Sequence, residues 1–246
     1  MLNYRLHLQI AFATFITLTI FTISPISAQK DNGILLGQSP NEGTDTSQTK
    51  KDNDTEPGGG LGSGSCRKTD KPLKPLVPRK NPVYTTEERP TFWFYIPYSA
   101  EEVTSGEFAL VTENELDDVY RTSFKLPKTP GIVSVSLPSS LASSFEVGKD
   151  YHWYFTLKCD SSEDSDEKVV QGWVQRVPRT AETDRKISEA TPDIWYDSVT
   201  FLGNRLRQSP KDQSLKRQWT KLLESADLQS IAEEELVGPV QTETNK

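Results

Sequence analysis

Along the middle of the chain, apolar residues recur at every second position in short runs: 91–96, 107–112, 118–125, 131–137, 151–158 and 168–177. Successive side chains of a strand point to opposite faces, so this period marks strands with a buried face. Turn chemistry separates the runs, at Pro97, Asn114, Pro127 to Gly131, Pro138 and Gly148. No stretch of helical period lies between them. The pattern predicts a mainly β domain over residues 66–178, an antiparallel immunoglobulin-like β-sandwich. Its lead-in, "KPLKPLVPRKNP", is proline-rich and extended, as edge segments are.

The run "TFWFYI" departs from strict alternation, because it is apolar on both faces. Phe92, Phe94 and Ile96 share one face and meet Trp153, Phe155 and Val135 in the expected core. Trp93 and Tyr95 share the other. Rings of that size have two uses there: packing under a further layer that supplies Trp195, Phe201 or Trp219, or forming a ligand surface. His152 and Tyr154, on the outward face of their own strand, join Trp93 and Tyr95 as candidate ligand- or partner-binding residues.

After Pro178 the period lengthens. Thr191-Pro192-Asp193 is a helix start, with Thr191 as N-cap and Pro192 at the first helical position. Trp195, Val199, Leu202 and Leu206 follow at helical spacing, Pro210 breaks the run, and Leu215, Trp219, Leu222 and Leu223 form a second stripe. Residues 179–237 therefore read as a C-terminal αα-hairpin, and residues 238–246 as a polar, flexible tail.

Composition changes the picture at the N-terminus. Arg5 precedes an uncharged apolar run from Ile10 to Ile23, and "ISA" ends at Ala28. This is the pattern of a signal peptide over residues 1–28, its core too short for a spanning helix. Export to the periplasm or cell exterior is expected, with no stable membrane insertion after cleavage. Residues 29–65 have no aromatics and end in "PGGGLGSGS". They read as a disordered linker that cannot bury enough apolar surface to offset ordering.

The net charge of −7 argues against nucleic acid as a partner, since phosphates call for Lys and Arg. The two cysteines, Cys66 and Cys159, lie in the exported part, where an even count suggests a disulfide. Two buried free thiols are the alternative.

The segments "DKPLKPLVP", "RPTFWFYIPY", "VYRTSFKLPKTPGIVSVSLP", "VGKDYHWYFTLKCD", "GWVQRV" and "IWYDSVTFLGNRLRQSPKD" resemble, in order, the cyanobacterial domain-of-unknown-function family 928. The resemblance covers roughly Cys66 to Glu235. It implies an exported protein with no catalytic residues to carry over. The stretch Ala181 to Ala190 is short for the family, which implies a hairpin lacking a supporting helix. The hairpin also resembles part of a tetratricopeptide unit, with about one repeat present where solenoids need several.

Enzyme chemistry finds little support. His152 is the one histidine after residue 28 and has no nucleophile elbow near it. "DSSEDSDE" offers Asp160, Glu163, Asp164 and Asp166 as weak calcium ligands, without EF-hand spacing. No cofactor is expected. The reading is a non-enzymatic interaction module of the cell envelope, its partner a protein or an envelope polysaccharide. The alternatives are a carbohydrate-binding protein using exposed aromatics, or a carboxylate-dependent hydrolase.

Overall fold

A computed structural model describes residues 53–58, 66–141, 145–159 and 167–242. The strands are β1 (Asp54–Gly58), β2 (Lys74–Pro75), β3 (Tyr84–Thr85), β4 (Thr91–Ile96), β5 (Ser105–Thr112), β6 (Asp118–Lys125), β7 (Gly131–Ser136), β8 (Asp150–Lys158), β9 (Glu167–Arg176), β10 (Leu236–Pro239) and β11 (Gln241–Thr242). The helices are α1 (Ala181–Ser188), α2 (Trp195–Gln208) and α3 (Gln213–Glu224). One sheet runs β1-β9-β8-β5-β6-β11, with β3 also on β9; the other runs β10-β7-β4-β2. Pairing is antiparallel except for β3 on β9 and β10 on β7.

The two sheets pack face to face, so the β-sandwich expected from alternation is present. Phe108 faces Phe155, and Leu110 faces Trp153, across the β5–β8 ladder. These side chains meet β4 from the opposite sheet. Phe94 stacks on Phe155 at 4.0 Å, and Phe92 lies 4.9 Å from Phe108. Val133 and Val135 stand beside Phe94 and Phe92 on β7. Such rings carry most of the apolar burial in a sandwich of this size.

Helices supply a third layer. The stripe Val199, Leu202, Leu206 of α2 and Leu215, Trp219, Leu222, Leu223 of α3 is buried as its spacing predicts. Asp212 caps α3, its carboxylate accepting from the amides of Ser214 and Leu215. A short 3-10 turn over Pro192–Ile194 precedes α2. The first turn of α2 is wedged into the sandwich. Trp195 Nε1 donates to the Leu76 carbonyl at 2.7 Å, and Tyr196 accepts from Trp153 Nε1 at 2.8 Å.

Three expectations need correction. Ala181–Ser188 forms α1, closed by a reciprocal capping box between Thr180 and Thr183, so the hairpin has its supporting helix; eight residues suffice when the cap satisfies the first amides. Second, the fold begins before Cys66. The Asn53 amide group donates to Pro78 O at 2.7 Å, its Oδ1 accepts from Trp173 N at 2.7 Å, and β1 pairs with β9. A polar segment joins a sheet edge by main-chain bonds that need no apolar side chains. Third, the tail continues as β10 and β11, which run along β7 and then β6, bracketing the buried Val240. The signal region, residues 29–52 and 59–65 of the linker, and residues 243–246 lie outside the described residues.

Cys66 and Cys159 form a disulfide with a sequence separation of 93. It ties the start of the continuous fold to the end of β8. Among the described residues, no helix is long and apolar enough to cross a membrane.

Candidate functional site

The four aromatic candidates do not assemble into one site. Trp93 and Tyr95 face outward from the β4 sheet, whereas His152 and Tyr154 face outward from the β8 sheet.

Trp93 is 2% exposed. Gly203 of α2 lies directly over its ring, since a Cβ there would come within 2.5 Å of it. Trp93 Nε1 donates to Thr200 Oγ1 at 3.0 Å, and Trp219 meets the ring edge-on at 6.1 Å. The hairpin therefore covers Trp93 and leaves no ring face for a ligand to stack on, which corrects its candidacy as a binding platform. Tyr95 is buried as well, beside Lys71 and Glu234, which form an ion pair. Burial pushes its phenol up from the ordinary value.

His152 is enclosed, its ring stacked on Trp173 at 4.3 Å with an interplanar angle of 4°. Its Nδ1 lies 2.7 Å from Glu115 Oε1 and 2.9 Å from the Tyr154 hydroxyl. Burial lowers the His152 pKa, against the opposing pull of Glu115. Burial raises the Tyr154 phenol to about 12. These groups hold one another; half-buried Trp173 and Tyr154 remain as the accessible aromatics of that face. Asp160, Glu163, Asp164 and Asp166 lie outside the described residues, and no cluster among the described residues has the makings of a metal site.

A further concavity lies elsewhere. A groove of about 1040 Å³ lies between the end of α2, the outer face of α3 and residues 232–238. Arg207 and Trp219 line it. The Arg207 guanidinium sits 4.2 Å over the Trp93 ring, and its Nη1 donates to Ser134 Oγ at 2.9 Å. Its Nε and Nη2 are buried without an acceptor, as is the indole N–H of Trp219. Burial pushes Arg207 down to about 10, an environment hostile to its charge. Lys216, Arg217 and Lys221 stand along the α3 wall, with Glu233, Glu234 and Glu235 along the other. Among the described residues, no ion pair joins those three cations to an acid.

The groove can hold a ligand with polar ends of both signs and an acceptor for buried donors. Gly203, a glycine inside an otherwise regular helix, marks the close approach of α2 to Trp93 rather than the groove itself. Arg207 recurs one turn later on the same face.

A family model described as Domain of Unknown Function, number 928, matches residues 56–236. No curated protein and no solved structure matches the chain.

Proposed function

The chain belongs to the domain-of-unknown-function family 928, and we propose that it is a non-enzymatic binding module whose ligand sits in the groove beside α3. The sandwich, in the immunoglobulin-like manner, is the rigid frame, and the tetratricopeptide-like hairpin is one wall. The reading includes export to the periplasm or cell surface. The Cys66–Cys159 bridge supports that part, since disulfides persist in oxidising compartments, as does the apolar run near the N-terminus.

The observation that carries the proposal is Arg207. A guanidinium removed from water with two nitrogens unpaired destabilises the chain that holds it. Two donors of that kind, with the Trp219 indole, beside one groove are what a site for an acceptor-bearing ligand requires. The Ser134 bond and the Trp93 contact engage only part of this donor set.

Arg207→Met tests this by thermal melting. A group retained for binding is replaced at little loss to folding, so Tm stays within a few degrees of the parent or rises. A fall beyond about 10 °C, on the order of 3 kcal/mol for a chain of this size, would make Arg207 a packing residue over Trp93 and sink the proposal.

A second reading rests on Trp173 and Tyr154, whose half-buried rings on the outer β8–β9 face suit stacking on a sugar. Trp173→Ala should then abolish retention on an immobilised polysaccharide such as cellulose or alginate while the folded-state circular dichroism spectrum is kept, with some loss of Tm from the lost stack on His152. Unchanged retention, or none by the parent, removes it.

A further inference from the structure

We infer that the occupant of the groove is an extended peptide segment bearing a carboxylate. Its backbone lies along the open edge of β10, and its carboxylate is received by Arg207. The inference rests on the groove being a binding site and specifies what fills it.

The head-group chemistry follows from the guanidinium. Nη1 is engaged by Ser134. Nε and Nη2 lie on the adjoining edge, where two parallel N–H vectors match the two oxygens of one carboxylate. The Trp219 indole N–H is likewise buried without an acceptor, and both it and the guanidinium pack against the Trp93 ring. A neutral ligand would leave the buried charge uncompensated.

The backbone chemistry follows from the topology. β10 ends its sheet, with β7 on one side and no strand on the other among the described residues. Leu236, Val237 and Gly238 of this strand line the groove. An edge strand presents alternate N–H and C=O groups that an extended peptide can pair with. The opposite wall, α3, has 12 residues. At 1.5 Å per residue it is about 18 Å long, room for roughly five residues of extended chain. Lys216 and Lys221 on this wall favour further acidic residues in the peptide.

Other occupants fit less well. A glycan needs an exposed ring face, and Trp219, the one aromatic lining the groove among the described residues, is 2% exposed. A polyanion such as nucleic acid meets Glu233 and Glu235 on the far wall.

The test uses the purified chain and a random pentapeptide library made twice, once with free and once with amidated carboxyl termini. Enriched sequences are then measured by fluorescence anisotropy. Enrichment of carboxylate-bearing peptides is expected. Amidating the critical carboxylate, or N-methylating alternate backbone amides, should weaken binding at least tenfold. Arg207→Gln should do the same. Lys216→Glu combined with Lys221→Glu, both exposed and harmless to the fold, should weaken it several-fold.

No enrichment from either library overturns the peptide occupant. If an acidic oligosaccharide such as alginate binds instead, and Arg207→Gln abolishes that binding, the groove survives as a site and only the peptide is wrong. Peptide binding indifferent to both variants overturns the groove itself.

Discussion

Asp197 is a carboxylate enclosed near the start of α2. Its Oδ1 accepts from Thr85 Oγ1 at 3.0 Å and its Oδ2 from Thr86 N at 2.6 Å, so it fastens α2 to the end of β3 and the residue after it. Burial nevertheless pushes its pKa up to about 6, with the two hydrogen bonds pulling the other way. The folded value lies above the ordinary one near 3.9, so folding favours the neutral acid. That contribution is complete below about pH 4 and is lost as pH rises through about 6. The expected loss is about 2–3 kcal/mol. Melting of the parent and Asp197→Asn at pH 4 and pH 7 measures it: the parent's advantage should shrink at the higher pH. A constant difference would mean that the Asp197 pKa is not raised into this range.

Trp93 gives a second residue-level expectation. Trp93→Ala should cost about 3–5 kcal/mol, since the ring is walled in by α2, α3 and Arg207. Gly203→Ala should cost about 1–3 kcal/mol by driving a methyl group into that ring. Urea denaturation reads both. A near-neutral Gly203→Ala would show that α2 sits less closely on β4 than described.

Among the elements, the least legible were those that join sheets by their main chain. β1, β10 and β11 have no apolar alternation, because their place is set by hydrogen bonds to β9, β7 and β6. Asn53 is the side chain that commits the first of them. Asn53→Ala leaves the Trp173 amide and the Pro78 carbonyl without their partner. A cost of about 1–3 kcal/mol is expected. Hydrogen exchange should quicken at Trp173 and along the β1 side of β9. Uniform exchange across the molecule would mean that the whole fold, rather than this edge, depends on Asn53.

For the molecule as a whole, the disulfide is the long-range constraint that sequence reasoning could name. Closing a loop with a separation of 93 limits the unfolded chain by roughly 4–5 kcal/mol in the chain-entropy account. Cys66→Ser with Cys159→Ser should therefore shift the urea midpoint down with little change in the folded-state spectrum. No shift would mean that the bridge strains the native state by as much as it restrains the unfolded one. The surface groove is a product of the same assembly. Arg207, Trp219 and Glu233 to Glu235 come from two helices and the segment after them, and only packing brings them to one concavity.

The strands from Thr91 to Arg176 and the two helical stripes were readable because a period of two or of 3.6 is a local property of the chain. The aromatic load of "TFWFYI" likewise marked a strand apolar on both faces, and the even cysteine count suggested a bridge. Which cover lies over Trp93 was left open, because a side chain's outward face is defined only when another layer arrives. Nothing in the sequence sets Arg207 apart from the other helical cations, for the same reason. Its burial, its unpaired nitrogens and its groove are created by contacts between residues distant in sequence, and no spacing along the chain encodes them.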